Sequence, residues 1–407
     1  MPAEARAGRS APVFWAFLRL GLTAFGGPVA HLAYFRTEFV ERRRWVSDAR
    51  YGELVALCQF LPGPASSQVG MAIGMERAGT RGALAAWLGF TLPSAILLLL
   101  LAQLLARYPG LAQSGAVHGL KIAAVAVVAQ AVWAMARSLC PDAPRAALAL
   151  LAAAGTLWVP TAGAQLAVLL LCALLGRWWL GRAPSAPAPD AHGPPSDPRA
   201  ERIRQRWALA ALLAFCLPLV VLPWWAAASG APLAAVASGV YRAGALVFGG
   251  GHVVLPMLEA SVVPAGLLTP ADFLAGYGAA QAVPGPLFSI AAYLGAFLPG
   301  AWQGWPGAAL LLCTIFLPGF LVLAAALPFW SALRGRAGLQ AALAGVNAGV
   351  VGLLLAALYD PVWTGAVQQR SDAALVLLAW GLLALARWSP VLVVGASALA
   401  GWALALA

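Results

Sequence analysis

Apolar residues run through this chain in long stretches, broken at recurring places by glycine, proline and arginine. Ala83 to Ala106 carries no charge and is long enough to cross a bilayer core as a helix. Ser114–Ala136, with its uncharged centre Ile122–Ala136, Ala146–Val159, Leu166–Leu180 and Trp207–Ala228 extend the pattern. The fold class that follows is an all-α polytopic membrane protein with about 13 hydrophobic segments. Arginine marks most ends of these segments, so topology can be read from its distribution.

The pattern repeats itself. "QFLPGP", Gln59 to Pro64, returns as "QAVPGP", Gln281 to Pro286, and "FTLPS" from Phe90 returns as "IFLPG" from Ile315. "GLKIAAVAVVAQA" from Gly119 resembles "GVNAGVVGLLLAA" from Gly345, which sets Lys121 opposite Asn347. Arg19 precedes Phe25 as Arg242 precedes Phe248, and His31 and Glu38 have counterparts in His252 and Glu259. The organisation this predicts is a tail (1–11), a first repeat (12–181), a Pro/Ala/Ser/Arg-rich linker (182–206), an extra helix (207–228) and a second repeat (229–407). One extra crossing between the copies turns the second upside down, as in inverted-repeat secondary transporters.

Charge bias agrees with the inversion. With the arginine-rich linker in the cytoplasm, Arg77, Arg81, Arg137, Arg145, Arg334 and Arg336 fall inside, while Glu259, Asp272 and Asp360 fall outside. Arg107 is the exception, falling outside. The N-terminus and the arginine-rich loop Arg36–Arg50 also belong inside, which requires 12–35 and 51–75 to enter and leave on one side. They read as re-entrant hairpins broken at "GGP" and "PGP", repeated from the other side at 233–258 and 273–298. Thirteen simple kinked spans would instead strand Arg42, Arg43 and Arg44 outside.

Irregular backbone at membrane depth belongs where it is buried in protein or lines a wet cavity. Adjacent glycines free the backbone and proline stops an incoming helix, so the breaks place helix ends near the midplane. A helix start there offers unpaired N–H groups and the positive end of its dipole to an anion. "PGPASSQ" adds donors in Ser66, Ser67 and Gln68, and "PGPLFS" adds Ser289.

Composition narrows the class. The 407 residues are 62% hydrophobic and 10% charged, with mean hydropathy +0.83 and net charge +11. The positive charge lies mostly in loops, where it sets topology and does not mark a nucleic-acid partner. Arg19, Arg242 and Lys121 (the lone lysine) fall within membrane sequence with no carboxylate comparably deep, which favours an anionic substrate. An arginine fork suits a tetrahedral oxyanion.

The predicted substrate-binding set is Arg19, Gly26, Gly27, Gln59, Pro62, Gly63, Ser66, Ser67, Lys121, Arg242, Gly249, Gly250, Gln281, Pro284, Gly285, Ser289 and Asn347. His31, Glu38, His252 and Glu259 are the proton-handling candidates. Plainer readings stand beside these: Arg19 snorkelling to the surface, Lys121 as an interface anchor, the histidines bonding hairpin backbone, and Glu38 balancing nearby arginines. Five scattered cysteines show no metal or redox spacing, and neither metal nor cofactor is expected. An intramembrane enzyme acting on an anionic lipid would need a nucleophile with its base, a carboxylate pair or a metal cluster, and no such set assembles. No cleaved leader is expected; the first helix reads as its own insertion signal.

"LGLTAFGGPVAHLAYFRTEFVERRRWVS" from Leu20 and "LCQFLPGPASSQVGMAIG" from Leu57 resemble the chromate ion transporter family, in its long, two-domain form. "ALVFGGGHVVLPMLE" from Ala245 and "YGAAQAVPGPLFSIAAYLG" from Tyr277 resemble its second-half signature. The resemblance implies chromate export across the bacterial inner membrane, resistance to chromate, sulfate as an analogue, and dependence on the proton-motive force. It is compatible with a homo-oligomer. Export also suits the energetics: a dianion moving out through an inside-negative potential releases about 4.6 kcal/mol per 100 mV.

Overall fold

The structure is a computed structural model that describes residues 10–25, 27–108, 110, 114–159, 161–180, 198–247, 254–330 and 336–404. The described chain is all-α, and five of its helices are long and apolar enough to cross a membrane. In chain order the first half contains α1 (Ser10–Thr23), α2 (Gly27–Phe35), α3 (Asp48–Phe60), α4 (Ala65–Arg107), α5 (Gly115–Leu139), α6 (Ala143–Trp158) and α7 (Ala162–Trp179). Then follow α8 (Pro198–Ser229), α9 (Pro232–Leu246), α10 (Val254–Val262), α11 (Pro270–Ala282), α12 (Ile290–Gly295) and α13 (Trp305–Ala326). The chain closes with α14 (Ala337–Ala357), α15 (Arg370–Ala384) and α16 (Pro390–Leu404).

The predicted hairpins are visible in which residues meet across each break. Phe17 of α1 packs on Phe35 at 5.4 Å and on Phe39 at 4.7 Å between ring centroids, so α2 runs back along α1. Arg50 at the start of α3 pairs with Glu76 at 2.7 Å, which brings both feet of the second hairpin to one side. Gly239 of α9 lies against Ser261 of α10. Tyr293 of α12 donates to the Asp272 carbonyl of α11 at 2.9 Å. Arms of 9 to 15 residues, as in α1, α2, α3, α9, α10 and α11, span about 14 to 23 Å and stop short of crossing a bilayer core of about 30 Å.

α4 is two helices in one. Ala78 (φ −148°, ψ 31°) and Gly79 (φ 60°, ψ −152°) leave helical space and reverse the chain, and Gly74 then packs directly on Gly82. Residues 65–77 are the returning hairpin arm and 80–107 a full span. The second half repeats the device: Gly295 ends the arm α12 and packs directly on Gly307 of the span α13. A side chain at any of these four glycines would push the helices apart.

The two sets of hairpins stand on opposite sides. From Arg81, beside the feet of the second hairpin, to Gln103 the helix rises about 33 Å. Gln103 there comes within 3.5 Å of where a Cβ on Gly304 would sit, beyond the feet of the fourth hairpin. α5, α6, α7, α14, α15 and α16 form the flanking bundle. Small residues set their close approach, as where Gly176 meets Gly345 and Gly119 meets Ser397. α8, the extra helix, is almost wholly exposed along its apolar window. It is tied to α9 by Tyr241, whose hydroxyl donates to the Phe215 carbonyl at 2.9 Å.

The arginine-rich segment expected as a loop departs from that reading: Arg36–Arg42 is π-helical. Within it Glu38 reaches Arg42 at 3.3 Å and, five residues on, Arg43 at 2.6 Å, a pairing that the π-helical spacing permits. Side-chain caps finish several helix starts at the outer ends, with Ser47, Asp142, Thr161 and Thr269 each accepting a first-turn amide.

Single cysteines replacing Thr37 and Thr80 are predicted to react with an impermeant thiol reagent from one face of sealed vesicles, and one replacing Ala301 from the other. Labelling of all three from one face would refute the inverted hairpins.

Candidate functional site

The tips of the hairpins meet, and they do so reciprocally. Gly63, in the first "PGP", donates its backbone N–H to the Val247 carbonyl at 2.6 Å, just before the second-half glycine run. Gly285, in the second "PGP", donates to the Ala24 carbonyl at 3.0 Å, just before the first-half run. Each broken tip therefore satisfies a carbonyl left open by a broken helix of the other half. Gly63 (φ 116°) and Gly285 (φ 102°) hold a backbone conformation that only glycine adopts without strain.

Side chains reinforce the exchange. Gln68 Nε2 donates to the Pro62 carbonyl at 2.9 Å and across to the Gly319 carbonyl at 3.0 Å. Ser289 and Ser94 share a hydroxyl hydrogen bond at 2.7 Å. Ser94 and Gly319 occupy equivalent places in "FTLPS" and "IFLPG", so each tip docks on the proline-containing turn of the other half's span. His31 meets Ser66 through Nδ1 at 3.3 Å and sets its ring edge-on to Phe90 at 5.0 Å.

This crossing is closed to solvent and short of partners. His31, Ser66, Ser67, Gln68, Thr91, Ser94 and Ser289 are all buried. Among the described residues, Ser67 Oγ, Gln68 Oε1 and Thr91 Oγ1 have no hydrogen-bond partner, while the His31 ring lies between Ser66 and the Ala24 backbone. Buried polar atoms are normally paired, and leaving one unmade costs about 1–3 kcal/mol. The helix start beside them, capped by Pro64, has no side-chain cap either, unlike the start at Ser47 in the same hairpin. None of the seven buried residues is acidic.

The predicted site residues divide into several groups. Pro62, Gly63, Ser66, Ser67, Pro284, Gly285, Ser289 and His31 lie at the crossing. Gly27 opens α2 there with φ 76°, and Gln281, bonded to Tyr277, ends α11 with Nε2 unpartnered among the described residues. Arg242 is half-buried five residues before Val247, with no ion pair among the described residues. Gly26, Gly249, Gly250 and His252 lie outside the described residues.

Other members are placed elsewhere. Arg19 is exposed, on the α1 face that carries Trp15 and Leu22, because helical spacing turns it away from buried Phe17 and Leu20. Gln59 is exposed at the end of α3. Lys121 is half-buried on α5, where Asp272 of α11 acts on it electrostatically, and Asn347 is on α14 with Oδ1 unpartnered among the described residues. Glu38 does not join His31. Burial alone would raise its pKa, but Arg43 and Arg42 outweigh that and hold the carboxyl below the ordinary glutamate value. Glu259 faces Asp360 at the far end of the molecule.

Thr91 and Ser94 were legible only as part of the "FTLPS" repeat. Proline inside a span was the signal that this turn offers a docking surface to a tip.

The family model for "Chromate transporter" matches residues 11–177 and 234–402, so it covers both halves. The chain is 31% identical over 410 residues to the "Chromate transport protein" of Pseudomonas aeruginosa, covering 96% of this chain and 91% of that one. It is 28% identical over 374 residues to the "Chromate transport protein" of Cupriavidus metallidurans, covering 91% and 84%. It is 28% identical over 332 residues to the "Probable chromate transport protein" of Synechococcus elongatus, covering 77% and 75%. No solved structure matches.

Gly285→Ala would bring a Cβ to 2.8 Å from Ser94 Oγ and 3.1 Å from the Phe90 carbonyl at a positive φ. It is predicted to destabilise the protein by about 1–3 kcal/mol. Gly52→Ala, helical and with open space around it, is predicted to be neutral or slightly stabilising. Melting of the purified variants compares the two.

Proposed function

The chain belongs to the chromate transporter family, and we propose that it exports chromate from the cytoplasm across the bacterial inner membrane, binding the oxyanion where the hairpin tips meet. Its N-terminus and linker lie on the cytoplasmic side in this reading, and export confers chromate resistance on the cell. Sulfate, of the same charge and shape, competes for the site.

One observation carries the proposal. The Ser67 and Thr91 hydroxyls are buried without partners beside an uncapped helix start and away from any described acid, with His31, which also bonds the Ala24 backbone, next to Ser66. In the tautomer in which His31 Nδ1 accepts from Ser66, Nε2 carries the proton and is a donor. A tetrahedral dianion presents acceptors in several directions, so donors supplied by the first two hairpins and the following span suit it. Half-buried Arg242, with no ion pair among the described residues, supplies the positive charge that brings a dianion to membrane depth.

The reciprocal tip contacts suggest how such a site would alternate. Among the described residues the tips exchange few hydrogen bonds at the crossing, so a shift of the tips against one another would open it to one side at a time. Membrane potential drives the outward step, because about 4.6 kcal/mol per 100 mV corresponds to roughly three decades of concentration ratio. Outward movement of a dianion therefore requires no coupled cation.

Chromate flux in vesicles of defined orientation tests this. Ser67→Ala and Thr91→Val are each predicted to raise the chromate KM about tenfold, the loss of one hydrogen bond to a charged group. Arg242→Gln abolishes transport, whereas Arg19→Gln leaves it within about twofold. Normal flux in all of the first three would remove the site from the crossing. Sulfate flux without chromate flux would overturn the cargo, and chromate accumulation inside cells would overturn the direction.

A further inference from the structure

The end of the flanking bundle opposite Arg177 and Arg336 holds a second polar site. α7 and α14 run between two clefts. At the Trp179 end of α7, beside the start of α14, a cleft is lined by Arg177 and Arg336. At the other end, a cavity of about 110 Å³ is lined by Thr156, Gln165, Glu259 and Asp360, with apolar Pro256 and Ala356 among its walls. No basic side chain lines it among the described residues.

We propose that this cavity binds a hard divalent cation of the calcium type, taken from the face of the membrane opposite the linker. The ligands would be the carboxylates of Glu259 and Asp360, the amide oxygen of Gln165 and the hydroxyl of Thr156. Two features beyond the paired acids point to a ligand. Gln165 is 7% exposed and lines the cavity, yet its Oε1 has no hydrogen-bond partner among the described residues. Thr156 is also 7% exposed, and its hydroxyl proton is already given to the Ala152 carbonyl at 2.8 Å, leaving only lone pairs to offer. The four named side chains thus offer oxygen acceptors, the Gln165 amide NH2 being the donor group among them.

Charge and geometry choose the cation. Two carboxylates share the cavity and neither forms an ion pair among the described residues; Asp360 accepts one hydrogen bond, from Thr364 at 3.0 Å. A monovalent ion would neutralise half of that charge and a divalent ion all of it. Oxygen-only ligands suit hard cations. Calcium tolerates six to eight irregularly placed oxygens and can complete its shell with water on the exposed Asp360 side, whereas magnesium demands near-octahedral geometry.

The site joins the halves: Thr156 and Gln165 come from α6 and α7 of the first, Glu259 from α10 and Asp360 from the turn after α14 of the second. A bound ion would tie the outer arm of the third hairpin to the first-half bundle.

Equilibrium binding of radioactive calcium to the purified full-length protein in nanodiscs, at constant ionic strength, tests the proposal. The parent is predicted to bind one calcium per chain saturably, with magnesium and sodium each competing at least tenfold more weakly. Glu259→Gln and Asp360→Asn each weaken binding tenfold or more, Gln165→Leu a few-fold, and Arg177→Gln leaves it unchanged. Asp360 is exposed, so its variant keeps the test valid if Glu259→Gln misfolds. No saturable calcium binding by the folded parent overturns the proposal, as does binding that neither carboxylate variant weakens. Displacement by sodium at equal concentration would overturn the divalent assignment. The site is separate from the hairpin tips, so none of these results bears on oxyanion transport.

Discussion

A peptide group exposed in a membrane has no water to turn to, and every break in a helix there must find its partner within the protein. The fold depends on how four such breaks are answered. Gly63 completes the open end before one glycine run and Gly285 completes the other, each crossing into the opposite half. Neither hairpin set could stand alone at membrane depth. The same requirement explains why the tips are glycine and proline: no bulkier backbone reaches a neighbouring carbonyl at this separation without strain.

From that exchange follows an arrangement with polar groups at its centre and charge sorted to its ends. Serine, threonine, glutamine and histidine gather at the crossing, where no described acid intrudes. Arginines sit with Glu38, Glu53 and Glu76 at the feet of the first two hairpins, and Asp272, Glu259 and Asp360 collect at the opposite end. Such an array draws an anion to the basic side and holds it away from the acidic one, so in the proposed export the outward step rests on the membrane potential.

Much of this was legible in the sequence, because the features that fix the topology are local. "GGP" and "PGP" mark the breaks by backbone chemistry alone, and arginine placement marks the sides. The repeat carried over both to the second half, where Gly295 and Gly307 reproduce the contact of Gly74 with Gly82. What stayed hidden was orientation about a helix axis. Arg19 and Phe17 are two residues apart, yet one faces outward and the other is fully buried. Trp15 and Leu22 on the outward face are as apolar as Phe17 and Leu20 on the inward one, so the apolar positions alone do not tell these faces apart. Glu38 was placed with His31 by a seven-residue spacing that assumes an α-helix, and the π-helical turn gave it to Arg43 instead. Thr91 and Ser94 carry no chemistry of their own in isolation; only the docking of a tip from the other half makes them part of the site.

The central claim is that the oxyanion binds where the tips cross. Chromium offers a direct test, since its anomalous scattering locates chromate in a crystal without reference to the refined protein. Crystals of the full-length protein grown with chromate are predicted to show one anomalous peak within hydrogen-bonding distance of Ser67 Oγ and Thr91 Oγ1. A peak confined to the arginine cleft between Arg177 and Arg336, or on the outer face at Arg19, would contradict that claim.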